Sequence, residues 1–198
     1  DFALYFQDED NILGTSFMPY LQNVAGLTGV NYRLEPWIYR EDEGCELGNM
    51  FTACVAADAD PATPTIKAHA GDDVMINIFG AHNEQNQMFN LDGHQWRRHL
   101  NQENSDMIDV EEFGGGEYIQ AFFNAGGTYK NPGTYLYLNA RTPYQQAGQW
   151  GYMKVLPSGD RSILPLGKAT VKGVKTASQP EEVEKSASKV GDDKLSMR

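Results

Sequence analysis

The chain has 198 residues, enough for one domain with appendages, and it is 40% hydrophobic with 10 Tyr, 9 Phe and 3 Trp, so it can fill a core. Its net charge of -11 argues against nucleic acid, which needs clustered Lys and Arg to displace counterions. No apolar run approaches the ~18–20 residues of a spanning helix.

From Gly167 onward seven Lys/Arg face five acids, so the acidity belongs to the body of the chain, where it would attract cations or a basic partner, or serve as a self-repelling soluble surface. The chain opens on DFALYFQDED, an apolar strand with no initiating Met and no signal peptide. Such a start is expected of a piece cut from something longer.

Ala3 to Phe6 reads as a first strand. Asn11 to Gly29 is loop, punctuated by Gly14, Pro19, Gly26 and Gly29, with room for a helical turn over Pro19 to Ala25. Val30 to Trp37 is extended, and an acidic loop, EDEGCE, follows. In TPTIKAHAGDDVMINIFGA, Thr65 to Ala68 alternates as a strand, Gly71-Asp72 turns, and Val74, Ile76 and Ile78 repeat at period two. Gln87 to Leu91, Tyr118 to Phe123, Gly133 to Leu138 and Tyr152 to Val155 complete the strands. Short strands with turn signals between them, in a chain with 20 Gly and 9 Pro, predict an all-β antiparallel sandwich or barrel. After Leu166 the aromatics cease, and the remaining Lys, Glu, Ser and Gly cannot offset their ordering entropy, so a flexible or partner-ordered tail is expected.

Cys45 and Cys54 are the only cysteines, nine positions apart, with no Cys or His partner at zinc-ligand spacing. They predict a small disulfide and hence an oxidising compartment: periplasm, cell surface or outside. Two buried free thiols are the alternative.

Two long runs carry a family resemblance. TPTIKAHAGDDVMINIFGAHNEQNQMFNLDGHQW and GGGEYIQAFFNAGGTYKNPGTYLYLNARTPYQQAGQWGYMKV resemble a cupredoxin domain of a multicopper oxidase, in the ceruloplasmin and bacterial manganese-oxidase branch. The likeness covers roughly Asp1 to Leu156 and rests on order, spacing and framework residues such as Gly71-Asp72, Asp92-Gly93-His94 and Pro132-Gly133-Thr134-Tyr135. It implies a cupredoxin-like antiparallel Greek-key β-sandwich. The chain then divides into a leading strand and connecting segment (1–40), an acidic loop with the disulfide (41–60), a cupredoxin-like core (61–157) and a flexible C-terminal tail (158–198).

The metal ligands do not carry over. Copper-bearing domains of the family have a His-Pro-x-His-Leu-His-Gly-His run whose first three His bind copper; here Gln87, Asn90 and Asp92 stand at those places, and the retained His94 is not at a ligand place. The second family motif is His-Cys-His, then His, then Met; its places hold Leu138, Asn139, Ala140, Tyr144 and Gln149. A blue copper site needs a thiolate and two imidazoles, and trinuclear copper a cluster of imidazoles. Amides bind copper poorly and Leu138 and Ala140 not at all, so no metal or catalytic residue is assigned.

Outside those motifs, His94 and His99 flank QWRR with a spacing that suits neither a helix face nor a strand face, and His69 and His82 read as ordinary. The clusters Asp8-Glu9-Asp10, Glu41-Asp42-Glu43, Asp58 to Asp60 and Asp106 to Glu112 could hold calcium but lack a ligand loop. Gly114-Gly115-Gly116 is a bulge or hairpin loop, since no Lys-Ser/Thr or helix follows it. Tyr129, Tyr135, Tyr137, Tyr144, Trp150 and Tyr152 either pack the core and rim or form an exposed interface.

Intact framework beside replaced ligands implies a copper-free structural or docking domain or subunit of a multicopper oxidase-like protein or complex. Its partners are other cupredoxin domains or subunits, and copper, with oxidation of a metal or organic donor by dioxygen, belongs to them. The alternatives are a free-standing binding or surface-assembly module with no redox role, and a metal-binding protein that uses non-family ligands.

Overall fold

A computed structural model describes residues 1–8, 28–42, 44–45, 50–51, 60–83 and 85–163. Residues 164–198, most of the tail predicted over 158–198, lie outside that set.

The elements run β1 (Phe2–Asp8), β2 (Gly29–Val30), α1 (Trp37–Asp42), β3 (Ile66–His69), β4 (Asp73–Asn83), β5 (Gln87–Leu91), β6 (Trp96–Arg97), β7 (Met107–Ile108), β8 (Val110–Phe113), β9 (Tyr118–Asn124), a 3-10 turn (Gly127–Tyr129), β10 (Gly133–Asn139), α2 (Thr142–Gln146) and β11 (Trp150–Leu156). They build two sheets, β2-β1-β4-β9 and β3-β11-β10-β5-β8, with a small β6-β7 ribbon. The period-two runs place Leu4, Phe6, Val74, Ile76 and Ile78 of the first sheet and Phe89, Leu91, Tyr137, Met153 and Val155 of the second in one buried core. The sandwich predicted from alternation is thus the fold, and its arrangement is cupredoxin-like.

The strands expected from alternation form within two residues of their predicted ends, except that β4 runs on to Asn83. Three features differ. The sheets are mixed: β1 pairs with β4 in parallel, and so does β3 with β11, because both strands enter beside partners far from them in sequence. The extended reading of Val30 to Trp37 breaks at Asn31 and Tyr32, whose φ angles of 52° and 61° turn the chain, and Trp37 begins a helix that takes in Glu41 and Asp42. The stretch after β10, not among the expected strands, is α2, started by Pro143, whose missing N–H costs nothing in a first helical turn. Residues 158–163 belong to the main unit, and Asp160 O lies 2.8 Å from His69 Nε2.

The leading segment covers part of the outer face of the second sheet. Trp37 and Phe51 pack with Leu136, Leu138, Ala140, Trp150 and Tyr152 in a second apolar cluster. Arg40 lies buried there, bonded to Glu35 at 3.2 Å and placed 4.7 Å over the Trp150 ring. Gly148, at φ 110°, lets the chain pass so close to Glu35 that a Cβ would meet its backbone nitrogen at 2.5 Å.

Candidate functional site

Alternation along β5 turns Gln87, Phe89 and Leu91 inward and Met88 and Asn90 outward. On β10 it is Tyr137 and Asn139 that face in. The loop after β10 forms α2 and returns through Gly148, so that Gln149 N–H donates to Tyr144 O and Asn139 N–H to Gln149 O, both at 2.9 Å. Gln87, Asn139 and Gln149 therefore meet inside the sandwich, fully buried, with Asp8 from the end of β1.

Their polar groups close on one another. The Asn139 amide nitrogen donates to Gln87 Oε1 and, at 2.6 Å, to Gln149 Oε1. Asn139 Oδ1 accepts the N–H groups of Met88 at 3.3 Å and Arg141 at 3.0 Å. Gln87 Nε2 donates to an Asp8 carboxylate oxygen and, at 3.1 Å, to Gln85 O. Gln149 Nε2 donates to Gln7 O at 2.7 Å. The Tyr144 hydroxyl is bonded to Asp8 and Gln87; burial, then the bond to Asp8 and its charge, push it up to about 12, against the opposing Arg141 charge and Gln87 bond. Arg141 lies 4.9 Å over the Tyr144 ring and donates to Asn86 O at 2.6 Å and Gln85 Oε1 at 2.9 Å, tying the β4–β5 turn to the α2 loop. Asn139 spends both amide hydrogens and both lone pairs, which fixes the orientation of each amide in the network.

Four of the positions at which the family resemblance would place copper ligands thus converge, and the groups on them do not fit copper. They offer amides, a protonated phenol and no thiolate or imidazole, and the donor atoms that could turn to a metal are committed to each other. The other ligand places do not form a set. Asn90 and Leu138 are register partners on the outer face of the second sheet; Asn90 donates to Asp109 O at 3.0 Å, while Leu138 and Ala140 belong to the Trp37–Phe51 cluster. Asp92 is exposed, and partial burial raises its carboxyl above the usual range. It lines an open cleft of about 730 Å³ with Asp73, Asp109, Arg97 and Phe122, a mixture of charges without convergence.

His94 is a core clamp. Its Nε2 accepts the Gly126 N–H at 3.0 Å, so the proton sits on Nδ1, which donates to Asp92 O at 2.8 Å. Phe123 and Tyr135 hold the ring edge-on at 4.8 and 4.6 Å, and burial lowers its pKa against the raising effect of the Asp92 carbonyl. His99 is exposed, His69 is bonded toward Asp160 and Asp72, and the His82 side chain lies outside the described residues. Among the described residues no three His, Cys, Asp or Glu side chains are placed to hold a metal ion. Of the acidic clusters, Asp8 is in the amide network and Asp60 pairs with Lys154; Glu9, Asp10, Glu43, Asp58 and Ala59, and the Asp42 side chain, lie outside the described residues. Gly114-Gly115-Gly116 forms the turn between β8 and β9.

Cys45 is buried; Cys54, its expected partner, lies outside the described residues. Of the loop-end aromatics, Tyr137, Trp150 and Tyr152 are core, and Tyr129 is exposed. Sequence reading missed the amide network, although its signal, polar residues at inward positions of apolar strands, was in Gln87 and Asn139. It also missed an aromatic row on the first sheet, Tyr5, Phe79 and Tyr118, which stacks at 4.7 and 5.0 Å on the outer face.

No family model matches the chain, and no curated protein matches it in sequence. Solved structures do. A multi-copper oxidase from Pediococcus acidilactici aligns at a TM-score of 0.51 and 9% identity over 83% of this chain and 27% of its own. A Cu-containing nitrite reductase from Thermus scotoductus SA-01 aligns at 0.51 and 11% identity over 83% of this chain and 32% of its own. The likeness is one of fold, and the chain spans about a third or less of each.

Proposed function

We propose that this chain is a copper-free structural and docking cupredoxin domain, or subunit, of a multicopper oxidase-like protein or complex. The observation that carries the reading is the closed Gln87–Asn139–Gln149 network at positions that hold ligands in copper-bearing domains. A fold kept intact around a satisfied polar plug supports a role in packing, with donor oxidation and dioxygen reduction left to partner domains. The short coverage of the solved structures supports a part within a larger whole. An extracytoplasmic location belongs to the same reading and rests on the Cys45–Cys54 pairing. No helix among the described residues is long and apolar enough to cross a membrane.

The test is copper content by elemental analysis of the protein isolated from its native source, before and after separation from everything that co-purifies. Copper in the assembly and none in the separated chain is the expected result. Copper stoichiometric with the separated chain overturns the reading and makes His69, His82, His94 and His99 the residues to replace.

A further inference from the structure

The outer face of the first sheet carries a run of uncharged side chains on an acidic chain. Register places three rungs across it: Tyr5–Phe79–Tyr118, then Ala3–Asn77–Gln120, then Met75–Phe122. None of these side chains is charged, although the chain carries -11; the bordering charges are Asp73 on β4, whose carboxylate accepts the Asn124 amide at 2.6 Å, Asp1 just before β1, and Arg98 and Glu111, which share a cleft with Tyr118 and Gln120. Tyr5, Tyr118 and Phe122 are 42%, 48% and 42% exposed. Tyr118 OH and Gln120 Nε2 both donate to Asn77 Oδ1 at 3.0 Å, which holds the middle rung in place.

From this pattern we infer that the face is the contact between two copies of the chain. Two bodies of like charge can approach closely only through an uncharged patch, and this one has a self-complementary pattern. A two-fold axis along the amide rung sets the aromatic rung of one copy on the Met75–Phe122 rung of the other and amide on amide, at the ~10 Å spacing of stacked sheets. A protein of different charge would be better served by the acidic remainder of the surface. The aromatic rings stack on each other and present edges outward, which suits interdigitation with side chains better than the flat stacking of a sugar ring. Three strands by seven residues cover about 300 Å². That lies below the roughly 800 Å² per partner of a standard interface, so the dimer is weak, with a dissociation constant on the order of 10–100 μM. The pairing goes beyond the role proposed above and does not depend on copper or on a larger oxidase.

Sedimentation velocity of the full chain from about 1 μM to 1 mM at ~0.15 M salt, where long-range charge repulsion is screened, tests it. The expected result is a reversible monomer–dimer equilibrium that Phe122→Glu weakens at least tenfold with an unchanged circular dichroism spectrum. Tyr129→Glu, in the exposed turn after β9, is expected to leave it unchanged. Should Phe122→Glu fail to fold, Gln120→Cys decides: it sits beside the axis, and a bis-maleimide with a span of about 10 Å, the spacing of stacked sheets, is expected to join two copies covalently. A monomer at every concentration, a dimer indifferent to Phe122→Glu, or a folded Gln120→Cys that does not cross-link overturns the inference.

Discussion

Asn139 and Gln149 stand at opposite ends of the α2 loop, and the amide nitrogen of the first donates to the amide oxygen of the second at 2.6 Å. With the parallel bond to Gln87 this closes the sandwich end by hydrogen bonds alone. Asn139→Leu keeps the volume but strands two amide oxygens and two backbone N–H groups in a buried site. The expected loss is about 3 kcal/mol or more, at ~1–3 kcal/mol for an unsatisfied buried group. For a unit of this size that lowers the melting temperature by roughly 6–12 °C. A melting temperature for Asn139→Leu within about 3 °C of the parent, half the smallest expected shift, would refute the view that the network is a stabilising element.

The same geometry makes a chemical prediction. Gln87, Asn139, Tyr144 and Gln149 already converge, so the variant Gln87→His, Asn139→Cys, Tyr144→His, Gln149→Met supplies a thiolate and two imidazoles on the existing backbone. It is expected to take up Cu(II) with an intense visible band, while Asn139→Cys alone is expected to give none. The absorption spectrum on copper titration reads the difference. A colourless fourfold variant that folds would mean that the positions do not share one centre.

His94 sets a pH dependence. Burial lowers its pKa below the ordinary 6.5, and its neutral tautomer is the one that both accepts from Gly126 and donates to Asp92. The unfolded chain therefore binds more protons than the folded one as pH falls. Its stabilising contribution is full above 6.5 and is lost as pH drops from there through the lower folded value. His94→Gln is expected to be less stable at pH 8 and to show a shallower decline in melting temperature between pH 7 and 5. Nitrogen chemical shifts of the ring should show Nδ1 protonated and Nε2 bare at pH 8; the opposite tautomer would exclude the clamp.

The inward face of every long strand was legible because burial imposes period two on apolar side chains, as in Val74, Ile76 and Ile78. The ligand places were legible as losses, since His, Cys and Met are specific residue types and their replacement by Gln87, Asn139 and Gln149 is visible in the letters. Their mutual bonding was not: it depends on how α2 brings Gln149 back beside Asn139, and three-dimensional closure leaves no periodic trace. The helix at Trp37 hid for a related reason. WIYRED is too short to show a helical period, and its helix packs through Trp37 on Trp150 and Phe51, far along the chain. The aromatic row of Tyr5, Phe79 and Tyr118 needs the parallel register of β1 on β4, which alternation alone cannot fix.

The redox state of the cysteines carries the location. Cys45 is buried beside the Arg40 backbone, whose carbonyl accepts its N–H at 2.9 Å. A bridge to Cys54 would close a short loop beside the Trp37–Phe51 cluster and stabilise it by about 2–3 kcal/mol, mainly by restricting the unfolded chain. Non-reducing alkylation followed by mass spectrometry is expected to find both cysteines protected and joined. Reduction is then expected to lower the melting temperature by roughly 4–12 °C. Both thiols alkylated without reduction, in protein from its native source, would remove the argument for an oxidising compartment and leave the fold reading untouched, because Cys45 is not among the described residues of the sandwich core.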